Sequence, residues 1–207
     1  MPGLFGEHPA TQSLESLSDV GLLDTTLRDG EQAPGVSLSP AEKAHIAREL
    51  DAAGIDVIEA GSAVTGPGER ETIRRVTDLD LDATITSFAR NVEGDVDLAL
   101  ETGVDGVHLV VPASDRHIEG KLSATREDVI ADTADLVAYA TDHDLWVEVI
   151  GEDGSRADLD FLEEPMAEAL DAGADRVCYA DTVGHATPDR TLDAVSRLAD
   201  LGPTSTH

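Results

Sequence analysis

One short pattern occurs three times in this chain, and it constrains the possible folds more than any other feature of the sequence. The copies read LDAAGIDVIEAG at 50–61, LETGVDGVHLVV at 100–111 and LDAGADRVCYAD at 170–181. In each copy a helical segment leads to a glycine, a nearby aspartate and an apolar run. Glycine tolerates the left-handed conformation that closes a helix, and a β-branched run favours a strand. Each copy therefore predicts a joint between a helix and the next strand, at Gly54, Gly103 and Gly173.

Helices are predicted in the intervals between these joints. The residues SPAE at 39–42 have the form of a capping box with proline in the first turn, and TP at 187–188 begins another helix. A long amphipathic segment extends from 125 to 142. Pro165 lies inside the weakest helical segment, near 158–172, where we expect a break or a kink because proline lacks the helical N–H.

Seven strands are predicted, near 20–25, 55–60, 83–87, 105–111, 145–150, 175–180 and 203–207. Strands that alternate with helices pair in parallel through right-handed crossovers. The pattern fits a (β/α)₈ barrel or an open doubly wound sheet. No G-x-G-x-x-G motif follows the first strand, which argues against a dinucleotide-binding sheet. We predict one barrel domain over 20–207, preceded by a flexible lead-in at 1–19.

The charge of the chain excludes two classes of partner. It carries 14 basic and 43 acidic residues, a net charge of −29, so nucleic acid and anionic membranes are not expected to bind. Such an excess of carboxylates favours a halophilic source, where concentrated ions screen the repulsion. We expect neither a membrane span nor a signal peptide, since no long apolar run is present. One cysteine, Cys178, excludes an intrachain disulfide and suits a reducing cytoplasm.

Polar side chains follow or end nearly every predicted strand. In chain order they are Arg28 and Asp29, Glu59, Arg90, His108, Glu148, Asp181 and Thr182, and His207. Each alone is explained by a turn, a helix cap or a satisfied structural group. The carboxyl ends of the strands of a parallel barrel meet at one face, however, and active sites lie there. Buried charge at one end is costly without a function, so the convergence predicts a catalytic site.

Five segments carry a resemblance to a known family. DTTLRDGEQ at 24–32 resembles the signature of the metal-dependent TIM barrels that condense or cleave acyl-CoA, which include 2-isopropylmalate, homocitrate and citramalate synthases and their relative hydroxymethylglutaryl-CoA lyase. The similarity continues through IEAG at 58–61, SDRHIEGKL at 114–122, GEDGSR at 151–156 and DTVGHATP at 181–188. GSAVTGPGERE at 61–71 and VHLVVPASDRHIEGKL at 107–122 are most similar to archaeal citramalate synthases and the 2-isopropylmalate synthases close to them.

The resemblance implies a Claisen-type condensation. The enolate of acetyl-CoA attacks the ketone of a 2-oxo acid, and hydrolysis of the thioester releases CoA and a 2-hydroxy diacid. The product is citramalate from pyruvate or 2-isopropylmalate from 2-oxoisovalerate, in isoleucine or leucine biosynthesis. A divalent metal, Mg²⁺, Mn²⁺ or Zn²⁺, would polarise the ketone. The resemblance also implies a homodimer for the intact protein.

The same resemblance implies roles for individual residues. Asp29 would be a metal ligand, and Arg28 would orient the oxo acid and neutralise its oxyanion. Glu148 would contact substrate and take part in proton transfer, and Thr182 would bind the oxo-acid carboxylate. Three further residues are candidates for the same substrate pocket, namely Gln32, Glu59 and His108.

Trp146 bears on the choice of substrate. It lies two residues before Glu148, so both side chains face the same way on strand 5. If that face is the pocket, the indole fills volume and favours pyruvate over a branched oxo acid. The alternative is that Trp146 packs inside the barrel below the pocket.

The end of the chain departs from the family pattern. A His-x-His pair at the end of strand 7 supplies further metal ligands in the family, and residues two apart share one face of a strand. His207 stands at the first position, and the sequence stops before the second. We therefore expect an incomplete TIM (β/α)₈-type barrel of about seven parallel strands and six helices, with little or no activity alone. The alternatives are a lyase of the hydroxymethylglutaryl-CoA type and a non-catalytic remnant that acts through its open sheet edge.

Overall fold

Seven parallel strands form one sheet in the computed structural model, which describes residues 20–206. The strands are β1 (Leu23–Asp24), β2 (Val57–Gly61), β3 (Thr84–Arg90), β4 (Gly106–Pro112), β5 (Trp146–Glu152), β6 (Arg176–Tyr179) and β7 (Thr204–Thr206). Each strand pairs with the next one in the chain. This order has no switch point, so the doubly wound alternative is wrong. The predicted lead-in at 1–19 and His207 lie outside the described residues.

Six helices make the crossovers between successive strands. They are α1 (Pro40–Ala52), α2 (Pro67–Thr77), α3 (Glu93–Leu100), α4 (Arg126–Asp142), α5 (Leu159–Asp171) and α6 (Pro188–Leu201). Shorter helical segments occur in the loops, at Gly30–Gln32, Ala63–Thr65, Asp115–His117 with Ile118–Leu122, and Gly154–Arg156. Among the described helices, none combines the length and the apolar character needed to cross a lipid bilayer.

The local signals in the sequence act as predicted. The Ser39 hydroxyl accepts from the N–H of Glu42, whose side chain accepts in return from the N–H of Ser39, so the capping box is confirmed. The three glycines of the repeated pattern have positive φ angles, 85° at Gly54, 75° at Gly103 and 110° at Gly173. Each ends a helix just before the next strand, which confirms the three joints.

The expected break at Pro165 is wrong, because α5 is continuous from Leu159 to Asp171. Proline removes one hydrogen bond from a helix. The helix compensates by packing, since Leu162, Pro165, Met166 and Ala169 are all buried on one side. Burial of that apolar stripe outweighs the loss of one backbone donor.

The two faces of the sheet have different chemistry because side chains alternate along each strand. One face packs against the helices and forms the apolar core, which includes Ile58, Leu109, Val111, Val147, Val149 and Val177 from the strands and Ile73, Val76, Val137, Leu162, Met166 and Leu198 from the helices. The opposite face carries Glu59, Thr86, His108 and Glu148, all fully buried. A sheet that buries charge on its inner face is curled around that face. The architecture is an incomplete α/β barrel, open between β7 and β1 in the described residues.

Candidate active site

A cavity of about 590 Å³ lies at the carboxyl ends of the strands. Its lining residues are Thr25, Arg28, Asp29, Gln32, Phe88, Val110, Ile150, Glu152, Ala180, Asp181 and Thr182. They come from the ends of β1, β3, β4, β5 and β6, so the sheet curls enough to bring β1 and β6 to one space. Four of the predicted site residues are brought together here, namely Arg28, Asp29, Gln32 and Thr182.

A tight turn after β1 delivers Arg28 and Asp29 to the cavity. The carbonyl oxygen of Thr25 accepts hydrogen bonds from the N–H groups of Arg28, Asp29 and Gly30, at 3.1, 2.8 and 3.1 Å. The loop that follows is held from α1, where the buried ammonium of Lys43 lies 2.7 Å from Glu31 Oε2. Arg28 and Asp29 are therefore held in position by backbone hydrogen bonds to Thr25 before them and by the ion pair of Glu31 with Lys43 after them.

The Arg28 guanidinium is held by three neighbours. Its Nη1 donates to Asp29 Oδ1 at 2.8 Å, and its Nε donates to the carboxylate of Glu59. The guanidinium carbon lies 4.7 Å from the centre of the Phe88 ring. These contacts fix the direction of the cation, while 60% of the Asp29 side chain stays exposed.

Three predicted site residues lie in a buried layer beneath the cavity instead of lining it. Glu59 Oε1 lies 2.8 Å from His108 Nδ1, and His108 Nε2 lies 3.4 Å from Glu148 Oε2. The register explains their depth, because His108 pairs with Glu148 one layer below Val110 and Ile150, which line the cavity. A continuous chain of charged and polar groups thus runs from Arg28 at the cavity into the interior.

Glu148 continues this chain to the far side of the barrel. Its Oε1 accepts from Arg176 Nε at 2.7 Å and from the hydroxyl of Ser205 on β7. Its Oε2 is buried and makes no hydrogen bond with the described residues. Glu148 therefore keeps one acceptor oxygen that faces His108.

Glu59 remains a carboxylate at neutral pH. Burial alone would raise the pKa of Glu59, but the hydrogen bonds and charges of His108 and Arg28 outweigh it and hold the pKa below its usual range. A charged Glu59 fixes both Arg28 and His108.

Trp146 does not line the cavity. It begins β5, its ring meets the His108 ring edge-on with centroids 5.9 Å apart, and the Arg176 guanidinium lies 4.9 Å from its centre. The sequence left open whether Trp146 lines the pocket or packs inside the barrel below it. In the structure Trp146 packs inside the barrel. The indole thus packs against the His108 ring on the side away from the cavity.

The family described as HMGL-like matches residues 19–207. The chain belongs to the HMGL-like family.

Individual relatives of this HMGL-like chain carry two names. An (R)-citramalate synthase of Methanocaldococcus jannaschii is 49% identical over 181 residues, which are 87% of this chain and 37% of that protein. A protein of Methanopyrus kandleri named as a probable 2-isopropylmalate synthase is 45% identical over 190 residues, which are 91% of this chain and 38% of that protein. The chain thus spans somewhat more than a third of the length of these curated relatives.

A solved structure confirms the fold of the HMGL-like chain. The hydroxymethylglutaryl-CoA lyase of Pseudomonas aeruginosa superimposes with a TM-score of 0.77 at 23% identity, over 91% of this chain and 67% of that one. The seven-stranded sheet is therefore part of the same barrel architecture, and the predicted fold class, an incomplete TIM-type barrel, is confirmed.

Two charged residues of the HMGL-like cavity, Glu152 and Asp181, had no individual role predicted from the sequence. Glu152 lies two residues beyond Ile150, on the same face of β5, and its carboxylate is held by Lys121 Nζ at 2.8 Å and His117 Nδ1 at 3.3 Å. This alternation was the available signal. Lys121 and His117 belong to the SDRHIEGKL motif, so that motif holds Glu152 at the cavity.

Asp181 is the second cavity residue without a predicted role. The Ser155 hydroxyl and the N–H groups of His185 and Ala186 stabilise its charged form and lower its pKa to about 2. The two backbone donors lie 3.0 and 2.8 Å from the carboxylate. Asp181 stood in the sequence as a residue after strand 6, and its contacts are those of a turn that shapes the loop beside Thr182.

Asp29 and His207 stay predictions as metal ligands. The exposed carboxylate of Asp29 borders the cavity, and oxygen and imidazole donors suit Mg²⁺, Mn²⁺ or Zn²⁺. Within residues 20–206 no three His, Cys, Asp or Glu side chains gather closely enough to hold an ion. His207, the other predicted ligand, lies outside the described residues. The described donors fit such an ion in kind and do not complete its site.

Proposed function

We propose that the chain contributes the active-site cavity of an acyltransferase that condenses acetyl-CoA with a 2-oxo acid and releases CoA. The acceptor is pyruvate, which gives citramalate, or 2-oxoisovalerate, which gives 2-isopropylmalate. The observation that carries the proposal is the pair Arg28 and Asp29, presented together at the cavity by the DTTLRDGEQ turn. The names of the relatives, a citramalate synthase and a 2-isopropylmalate synthase, support the same reaction, and isoleucine or leucine biosynthesis is the setting that we propose for it.

The cavity has groups for each part of a 2-oxo acid. Arg28 is cationic and held in one direction, which suits it to an oxyanion or carboxylate. Thr182 offers a hydroxyl to the carboxylate and Gln32 offers an amide. The apolar wall formed by Phe88, Val110, Ile150 and Ala180 suits the short alkyl group of either acid.

The chemistry that we propose for these residues is electrostatic stabilisation and proton transfer. Arg28 neutralises the charge that develops on the ketone oxygen during attack. Its hydrogen bonds to Glu59 and Asp29 hold the guanidinium in place beforehand, so it does not have to reorient during the reaction. Glu148 belongs to the proton-transfer machinery, supported by its unpartnered Oε2 beside His108. His108 lies between Glu148 and Glu59, 2.8 Å from Glu59 Oε1 and 3.4 Å from Glu148 Oε2.

A divalent ion, Mg²⁺, Mn²⁺ or Zn²⁺, would be held by Asp29 and His207 and would supply Lewis-acid polarisation of the ketone. We also propose a homodimer, which only the family resemblance implies. A cytoplasmic setting of high salt is proposed as well, supported by the single cysteine and the net charge of −29. Nucleic acid and membranes are not proposed as partners, because a surface of this charge repels both.

A product assay tests the proposal. The protein, expressed from its full reading frame, is incubated with acetyl-CoA, a divalent metal and either pyruvate or 2-oxoisovalerate. We expect release of the CoA thiol together with a diacid that is two carbons longer than the acceptor, identified by mass spectrometry.

Two arginine variants sharpen this assay. Arg28→Lys keeps the positive charge but loses the planar guanidinium with its several N–H donors, so the rate is expected to fall by about 100-fold or more. Arg116→Lys makes the same change at an exposed position outside the cavity and should leave the rate unaltered. Cleavage of a 3-hydroxyacyl-CoA without condensation would identify a lyase instead, and no reaction in either direction would favour the non-catalytic module.

A further inference from the structure

The turn after β5 contains a buried carboxylate in a backbone conformation that residues other than glycine seldom adopt. Asp153 is fully buried, with φ 65° and ψ 30°. Both of its carboxylate oxygens are held, because Ser114 Oγ donates to Oδ2 at 2.5 Å and Arg156 Nε donates to Oδ1 at 2.6 Å. A strained conformation persists where its surroundings fix it, and these contacts fix Asp153.

The consequence of this conformation is a hydrogen bond to a residue of the cavity. The backbone N–H of Asp153 donates to Thr182 Oγ1 at 3.1 Å. A hydroxyl that accepts a hydrogen bond from one side directs its own proton elsewhere. Thr182 lines the cavity together with Arg28 and Asp29. Its O–H is thus available as a donor to an anion bound there.

The charge on Asp153 keeps this arrangement in place. Burial would raise the pKa of Asp153, but the hydrogen bonds from Arg156 and Ser114, with the charge of Arg156 and His117, outweigh it and hold the pKa below its usual range. His117 Nε2 lies 3.7 Å from Oδ2. The carboxylate therefore stays ionised and paired with Arg156.

We propose that Asp153 is a positioning residue for substrate recognition: its clamped side chain fixes a left-handed turn whose N–H orients the Thr182 hydroxyl toward the carboxylate of the 2-oxo acid. This inference rests on the proposed function, which supplies the anion. Nothing in the short motif GEDGSR alone points to this role, because it depends on the contact between the loops after β5 and β6.

Binding measurements on the protein from its full reading frame test the inference. Asp153→Ala removes the clamp and disfavours the left-handed backbone, so the Kd for the 2-oxo acid is expected to rise about tenfold, as for a lost hydrogen bond to a charged group. The Kd for acetyl-CoA should stay within about twofold, because the Thr182 hydroxyl is assigned to the other substrate. Isothermal titration calorimetry measures both constants.

Conservative and partial variants separate positioning from simple damage to the fold. Asp153→Asn tolerates the left-handed region and keeps the acceptor for Ser114 but loses the pairing with Arg156, so the Kd should rise by about threefold, less than for Asp153→Ala. Arg156→Gln releases one oxygen of the clamp from a partly exposed position and should raise the Kd for the oxo acid in the same direction. It also replaces Asp153→Ala if that variant does not fold.

A double substitution and a matched control complete the experiment. Thr182→Val removes the hydroxyl, and Asp153→Ala added to it should cause no further loss of oxo-acid binding, because both act through one contact. Asp144 is an exposed aspartate with φ 60°, so Asp144→Ala carries the same backbone change far from the cavity and should leave both Kd values unaltered.

The outcomes distinguish this inference from the proposed function. If the unsubstituted protein binds no 2-oxo acid, the proposed function fails and this inference fails with it. If the unsubstituted protein binds the acid but a folded Asp153→Ala variant binds it equally well, or if the losses of the two single variants add, only this inference is overturned. Amide exchange at Asp153 gives an independent check, since Thr182→Val should accelerate it and Thr182→Ser should not.

Discussion

At the scale of single residues, Glu59 is the group on which the order of the site depends most. It is fully buried between Arg28 and His108. Removing one partner of a buried ion pair leaves an uncompensated charge, which costs about 3 kcal/mol. We expect Glu59→Gln to lower the free energy of unfolding by about this amount at pH 7, measured by urea denaturation.

The pH dependence of that loss has a definite sign. The pKa of Glu59 is lowered from its ordinary value of 4.5, so its contribution is fully present above pH 4.5 and is lost as the pH falls through the lower, folded value. The difference between Glu59→Gln and the unsubstituted protein should therefore shrink in acid. Glu49→Gln, on a side chain that is 71% exposed, is the control and should show neither effect. A difference that is unchanged between pH 7 and pH 3 would contradict the assignment.

The sequence predicted the position of site residues well where they follow a strand and poorly where they lie within one. Arg28, Asp29 and Thr182 reach the cavity because they come after the carboxyl end of a strand. His108 and Glu148 share the inner face, but their depth is set by the register between β4 and β5, which a single sequence does not contain. Ion pairs formed across loops, such as the one between Lys121 and Glu152, depend on tertiary folding in the same way.

At the scale of elements, the start of α1 depends on a reciprocal cap. The Ser39 hydroxyl and the Glu42 carboxylate each accept from the backbone N–H of the other. Ser39→Ala removes one acceptor, so the free energy of unfolding should fall by about 1 kcal/mol, measured by thermal or urea denaturation. Ser37→Ala, at an exposed position just outside the helix, is the matched control. Equal losses in both variants would show that the cap contributes nothing.

Elements were predictable because their signals are local. Caps, closing glycines and apolar runs act over a few residues, so the strands and four of the six crossover helices (α1, α4, α5 and α6) could be placed from the sequence. Pro165 does not interrupt α5. The packing of that helix against the sheet was not part of the prediction, and the expected kink stays a prediction. The short helical segment at Asp115–Leu122 was missed, since it is held by contacts with β5, including the ion pair of His117 with Glu152.

At the scale of the whole molecule, the net charge of −29 predicts a dependence on salt. Charges repel over about 10 Å in 0.1 M salt and over about 3 Å in 1 M salt, so concentrated KCl should raise the urea concentration at the midpoint of unfolding. Glu127, Asp132 and Asp135 are exposed on α4. Replacing these three by Gln, Asn and Asn removes part of the repulsion. At low salt the variant should therefore have a higher urea midpoint than the unsubstituted protein, and its midpoint should rise less when KCl is added. A midpoint that falls with KCl, or an identical slope for both proteins, would exclude surface repulsion as the reason for the acidic composition.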